Sequence, residues 1–242
     1  MKKTLLSALF LIAAAALVSA QTAEDIIAKH LENTGAANWS KVKSIKMEAT
    51  IAAEAAPGMA IGWTMVALRD QAARMDVSIM GMTQTSTVKG GEGWSTNPFA
   101  GQMNPAPMAA DEVKVMMNMT DIDGSLVGYK EKGYKVEYVG REDVDGVSAY
   151  KIKMIKEDDK VEYLLFDPEG YFEIMKIDVD DVDGETVESK TTYSDFKRQD
   201  GIVFPFTMQQ SNPAVGNSTI NLTTITLNPE VDMSVFEMPA KK

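Results

Sequence analysis

From Ser44 onward apolar and polar residues alternate with a period of two. Ile45, Met47, Ala49, Ile51 and Ala53 are interleaved with Ser44, Lys46, Glu48, Thr50 and Ala52. A second run puts Met59, Ile61, Trp63, Met65 and Ala67 on one face, and a third sets Ala73, Met75, Val77 and Ile79 opposite Arg74, Asp76 and Ser78. Successive side chains of a strand point to opposite sides, so this alternation predicts strands with one face buried and one wet. The stretches Thr83–Lys89, around Trp94, Tyr134–Glu142, Ala149–Lys156, Val161–Asp167, Phe172–Val179, Thr186–Phe196, Ile202–Gln210 and Ser218–Leu227 extend the pattern. Asp145-Gly146, Pro168-Glu169-Gly170 and Asp183-Gly184 supply turn chemistry between them. The expectation is a mainly β chain of about a dozen strands joined by short turns, in one antiparallel sheet that curls.

Two helices interrupt the strands. Thr22 can cap a helix to Thr34 with Asp25 three residues on, its apolar side is Ile26, Ile27 and Leu31, and Gly35 stops it. His30 lies near that apolar side with no residue in sequence to make a catalytic dyad, so it reads as a packed histidine at a helix–sheet boundary. Asp111–Met119 carries acids in its first turn and Val113, Met116 and Met117 at helical spacing. Asn97–Ala110 holds three prolines and reads as an irregular crossing loop.

Before all of this, Met1-Lys2-Lys3, the apolar run Leu5–Val18 and Val18-Ser19-Ala20 have the layout of a secretory signal peptide cleaved after Ala20. The expectation is therefore an exported, periplasmic protein, with a single domain over 21–242 behind a signal at 1–20. The 242 residues include no cysteine and one histidine, which excludes disulfides, thiolate chemistry and cysteine- or multi-histidine metal centres. The net charge of −11, or −13 without Lys2 and Lys3, argues against nucleic acid as a partner.

Charge and apolar bulk segregate along the chain. Met47–Met119 holds 11 of the 17 methionines, whereas Thr120–Asp200 carries 22 acidic and 12 basic residues. Methionine is flexible and polarisable, and the small Ala49, Ala53, Ala67 and Ala73 among the methionines leave room for a ligand on one sheet face. Met80, Met82 and Met116–Met119 offer thioethers for copper(I), but neither histidine nor cysteine is near enough to complete a site. Three Asp-x-Asp-Gly segments, at Asp121, Asp143 and Asp181, fail calcium-loop spacing, because Met119, Arg141 and Val179 fall on the first ligand position. Hairpin turns account for them better. No nucleophile elbow, phosphate loop or dinucleotide fingerprint is present, and the carboxylates read as solvated faces rather than a hydrolase pair.

The stretch Asp123–Lys153 (DGSLVGYKEKGYKVEYVGREDVDGVSAYKIK) resembles exported bacterial proteins of the outer-membrane lipoprotein-sorting type, similar to the carriers LolA and LolB. Ile26–Gly35, Phe166–Glu169, Asp200–Pro205 and Phe236–Pro239 support the likeness, which spans nearly the whole chain after Ala20. It implies an α+β, mainly β fold: an unclosed antiparallel barrel of about eleven strands, with helices covering the open side. It also implies a non-enzymatic carrier that shelters lipid or lipoprotein acyl chains in a hydrophobic cavity. Its partners would be an inner-membrane lipoprotein transporter and an outer-membrane acceptor. No cofactor or metal is expected, and the chain is expected to be a monomer. On that reading Ile61, Trp63, Met65, Met75, Val77 and Ile79 face the ligand under a lid of Val113, Met116 and Met117. Arg69 and Arg74 are the candidates to lock the lid. The alternative on the same scaffold is a ligand-free interaction module.

Overall fold

The computed structural model describes residues 21–182, 184–213 and 216–239; the expected signal peptide and Asp183 lie outside the described residues. Helix α1 (Ala23–Thr34) opens with a capping box in which the Thr22 hydroxyl accepts from the Asp25 backbone N–H and the Asp25 carboxylate accepts from that of Thr22. Gly35 ends it at φ 75°, and a Cβ there would come 2.0 Å from the Gly201 carbonyl oxygen, so only glycine fits. Arg198 fastens this end by donating to the Asn33 and Gly201 carbonyls, both at 2.8 Å.

Strands β1 (Ser44–Ala53), β2 (Ile61–Leu68), β3 (Ala72–Ile79), β4 (Met82–Lys89), β5 (Glu92–Asn97) and β6 (Gln102–Pro107) form consecutive hairpins. Helix α2 (Ala110–Met117) follows, and a turn-rich segment over 121–134 leads on from it. Strands β7 (Lys135–Val144), β8 (Val147–Ile155), β9 (Val161–Phe166), β10 (Glu173–Val182), β11 (Glu185–Gln199), β12 (Ile202–Asn212) and β13 (Gly216–Leu227) complete the sheet. All pair antiparallel in one 13-stranded sheet ordered β6-β5-β4-β3-β2-β1-β13-β12-β11-β10-β9-β8-β7. The ends β6 and β7 do not meet, so the sheet is unclosed.

Two sequence expectations change. The proline segment contains β6, which tolerates Pro105 and Pro107 because an edge strand has N–H groups that need no ladder partner. Of the three Asp-x-Asp-Gly segments, Asp143–Gly146 turns a hairpin, and Gly184 N–H donates to Asp181 at the next. Asp121–Gly124 instead sits in the segment after α2, where Lys132 binds it.

Both helices pack on the same face of the sheet, called the inner face below. α2 lies on a core of Ile45, Met65, Ala67, Ala73, Val88, Phe204, Leu222 and Ile225. α1 lies on Tyr150, Ile152, Met154, Leu164 and Phe166, together with Leu126 and Tyr129 of the connecting segment. The opposite, outer face receives the C-terminal segment: Phe236 is buried there, and the Trp94 indole donates to its carbonyl at 3.0 Å.

Candidate functional site

The register across β1, β2 and β3 aligns Ile51–Ile61–Ile79, Ala49–Trp63–Val77, Met47–Met65–Met75 and Ile45–Ala67–Ala73 in four rows. All six strand residues expected to face a ligand therefore share the inner face. Val113 and Met116 of α2 are buried in the core that contains Met65, with Trp63, Met75 and Met117 packed around it. Ile61, Val77 and Ile79 stand at the far end of the strands, away from α2. There Ile61 is buried, while Ile51, Val77, Ile79, Ile220 and Met208 stay half-buried, Ile220 and Met208 packed against the same core.

The expected hollow beneath α2 is closed to solvent. Met65, Ala67, Ala73, Val88, Val113 and Met116 are each 8% exposed or less. α2 packs closely against β5: a Cβ on Gly93 would come 3.0 Å from Val113. Two depressions, of about 590 and 480 Å³, lie elsewhere, at the β12–β13 end and around the β1–β2 connection. The first is lined mostly by outer-face residues such as Glu54, Lys190, Thr192 and Gln209. The methionines also divide. Met47, Met65, Met75, Met108, Met116, Met117 and Met119 belong to the core under α2. Met59, Met80, Met82 and Met103 are exposed at or beside hairpin tips, and Met80 and Met82 do not meet the buried Met116.

The two lid-lock candidates separate. Arg69 stands at the β2–β3 turn; its Nε donates to the Val42 carbonyl at 3.0 Å, its Nη2 to the Trp39 carbonyl at 2.9 Å, and its Nη1 pairs with Asp123. Asp123 belongs to the segment that follows α2, and the adjacent Asp70 N–H donates to the Thr120 carbonyl at 3.1 Å. Burial alone would raise the Asp123 carboxyl, but the bond from Asp121, then Arg69 and Lys132, hold it below the usual carboxylate range. Arg74 is no lock for α2, because β-strand alternation puts it on the outer face. There it forks onto Asp76 at 2.8 and 3.0 Å and donates to the Val235 carbonyl at 2.9 Å.

His30 is packed as expected. Its ring meets Phe166 edge-on at 5.1 Å, and Nδ1 donates to the Tyr171 carbonyl at 2.8 Å, while burial lowers its pKa.

Sequence reasoning missed a charged group on the inner face of β9–β11. Glu162 and Asp178 stand directly opposite each other across β9 and β10. Lys156 pairs with Glu162, and Lys176 with Asp178 at 3.0 Å. Glu173 opens β10 nearby. Burial pushes its carboxyl up to about 7 despite help from Lys176, and Glu162 and Asp178 add to the rise. Burial and the same three carboxylates push the Tyr193 phenol well up. Among the described residues no cluster of histidine and carboxylate side chains could hold a metal ion, and no helix is long and apolar enough to cross a membrane.

No family model and no curated protein matches the sequence. Solved structures do match in fold. A LolA superfamily protein from Nitrosomonas europaea superposes with a TM-score of 0.57 at 15% identity, over 90% of this chain and 98% of that one. A DUF1329 family protein from Desulfovibrio piger gives 0.59 at 12% identity, over 88% and 96%. An outer membrane lipoprotein-sorting protein domain from Vibrio parahaemolyticus gives 0.53 at 13%, over 87% and 97%. At these identities the likeness establishes the fold: an unclosed antiparallel sheet with helices on its inner face, as the resemblance implied, with 13 strands in place of about eleven.

Proposed function

We propose, with the LolA-like fold as premise, that this chain is an exported, non-catalytic carrier for an acyl chain or comparable lipid tail. The observation that carries the reading is the divided inner face. One end is closed by Val113 and Met116 of α2, while the half-buried Ile51, Val77, Ile79, Ile220 and Met208 continue the same apolar surface uncovered by α2. The covered core is then the closed state, in which lid side chains occupy positions that a lipid tail takes when α2 lifts. Each methylene buried contributes ~0.8 kcal/mol, so a tail displacing the lid recovers what opening costs. Arg69 is the latch, because it ties the segment after α2 to the ends of β1 and β2. The chain works as one domain from Gln21, in the periplasm and behind a removed signal. Lipoproteins, their inner-membrane transporter and an outer-membrane acceptor are the partners this role calls for.

The tight packing beneath α2 favours the second reading, a ligand-free interaction module. Native mass spectrometry of gently extracted protein separates the two. A carrier retains lipid, or takes up added fatty acid with a rise in melting temperature. Protein that stays empty, with stability unmoved by added fatty acid, sinks the carrier and leaves the module.

A further inference from the structure

The charged group on β9–β11 lacks one thing. Glu162 is 8% exposed, its Oε1 is taken by Lys156, and its Oε2 is buried with no hydrogen-bond partner among the described residues. An acceptor left bare in the interior is costly, and more so when it is charged, so such atoms normally have a donor. Neither lysine is free to supply it. Lys156 is held on Glu162 Oε1 and over the Tyr134 ring at 5.8 Å, and Lys176 is held on Asp178. Like charges directly opposite across a strand pair repel, and Glu162 and Asp178 are so placed. Lys156 and Lys176 balance that pair, and Glu173 leaves one negative charge over when it is ionised.

This group adjoins the apolar surface. Tyr193 is the cross-strand partner of Met208, Met208 of Ile220, and Ile220 of Ile51, so one row leads from the uncovered apolar end to β11. The Tyr193 phenol lies within electrostatic reach of Glu173, Asp178 and Glu162. From Met208 to Glu162 is three strand spacings across the sheet and, because Glu162 aligns through Asp178 with Ser189, four residues along it from Tyr193, roughly 20 Å in all.

We infer that Glu162 and Asp178 form a headgroup site that takes the primary ammonium of a cationic amphiphile, whose tail runs past Tyr193 onto the apolar inner face. The inference rests on the carrier reading, to which it adds a ligand class. An ammonium brings the donor that Glu162 Oε2 lacks and places positive charge between two facing carboxylates.

Calorimetric titration at pH 8 with dodecylamine, dodecyl maltoside and dodecanoate, each below its micelle concentration, tests it. The expected result is that dodecylamine binds at least about tenfold more tightly than the maltoside, the size of one charge-assisted hydrogen bond. Glu162→Gln and, separately, Asp178→Asn remove that preference while leaving maltoside binding intact, which also shows that the variants are folded. Equal affinity for the three headgroups, or a preference that survives both substitutions, overturns the headgroup site and leaves the carrier standing. If none of the three binds, both fall together.

Discussion

If Arg69 latches the lid, removing it opens one region and not the molecule. The guanidinium makes two bonds to carbonyls ahead of β1 and an ion pair with Asp123. A hydrogen bond involving a charged group contributes ~1.5–3 kcal/mol when buried. The Arg69 side chain keeps 28% of its exposure, so water screens part of this. In Arg69→Ala the Asp123 carboxylate, itself 11% exposed, keeps the more distant Lys132 at 3.4 Å. A net loss of about 2 kcal/mol is a fair figure, or roughly thirtyfold in the local opening equilibrium. Hydrogen exchange resolved by residue reads it directly. The Val113 N–H, bonded to the Ala109 carbonyl at 3.0 Å, and its neighbours in α2 and the segment after it gain roughly thirtyfold in exchange. Amides of β8 and β9 change far less.

Arg74→Ala is the matched control. It severs the fork to Asp76 and the bond to the Val235 carbonyl on the outer face. Exchange rises at Val235 and Glu237, whose N–H groups bond within that segment, while α2 stays protected. Two results refute the argument: an Arg69→Ala protein whose α2 exchanges no faster than wild type, or one in which every strand loosens equally. The first removes the latch. The second makes Arg69 a general support for the fold.

Three further substitutions have worked signs. Thr87 is fully buried and its hydroxyl has no partner among the described residues, so Thr87→Val raises the urea midpoint at unchanged m, with a gain of ~1 kcal/mol; a lower midpoint shows that the hydroxyl is satisfied. Ala73, also fully buried beneath α2, overpacks as Ala73→Leu and costs ~1–3 kcal/mol; a stability unchanged within error means that space exists under the lid. Glu173 has its carboxyl raised to about 7 in the folded protein, so the fold holds a proton that the unfolded chain releases near pH 4.5. Stability from this group is present below pH 4.5, declines as pH rises to 7, and above that the ionised form costs the fold about 3 kcal/mol. Glu173→Gln therefore raises the melting temperature more at pH 8 than at pH 5, and an equal rise at both pH values contradicts the cause assigned.

Strands such as β1 and β3 are legible because one face of each is wetter. Ile45 to Ala53 and Ala73 to Ile79 alternate cleanly, and the structure keeps their faces. The same alternation sets Arg74 opposite Met75 and so places it on the outer face, away from α2. β6 was hidden by its prolines, whose strand role depends on being last in the sheet. The charged group on β9–β11 was hidden for two physical reasons. Leu164, Leu165 and Phe166 are all buried, so the period of two vanishes just where it would assign Glu162 to a face. A bulge between Glu173 and Met175 then shifts the parity of β10, and no sequence rule locates a bulge. The covered core beneath α2 was illegible for a different reason. Small residues on a sheet face admit a ligand or a helix equally well, and only the position of α2 decides which.

That ambiguity bears on how a carrier of this shape would switch. Ala67 and Ala73 give α2 a seat without large interlocking side chains, and what enters it from the helix is Val113 and Met116. Methionine loses little by repacking, so exchanging Met116 for a lipid tail against Met65 and Met75 is a near-equal trade of apolar contacts. With the apolar terms balanced, the polar ties decide which state is populated, and these are Arg69 to Asp123 and Asp70 to Thr120. They lie at the end of the strands opposite Ile51 and Ile79, which stay half-buried on the apolar face. A tail can therefore enter at the uncovered end and advance toward the lid before any tie breaks. Lid opening then follows the length of tail bound, and short chains should occupy the open end while leaving α2 protected from exchange.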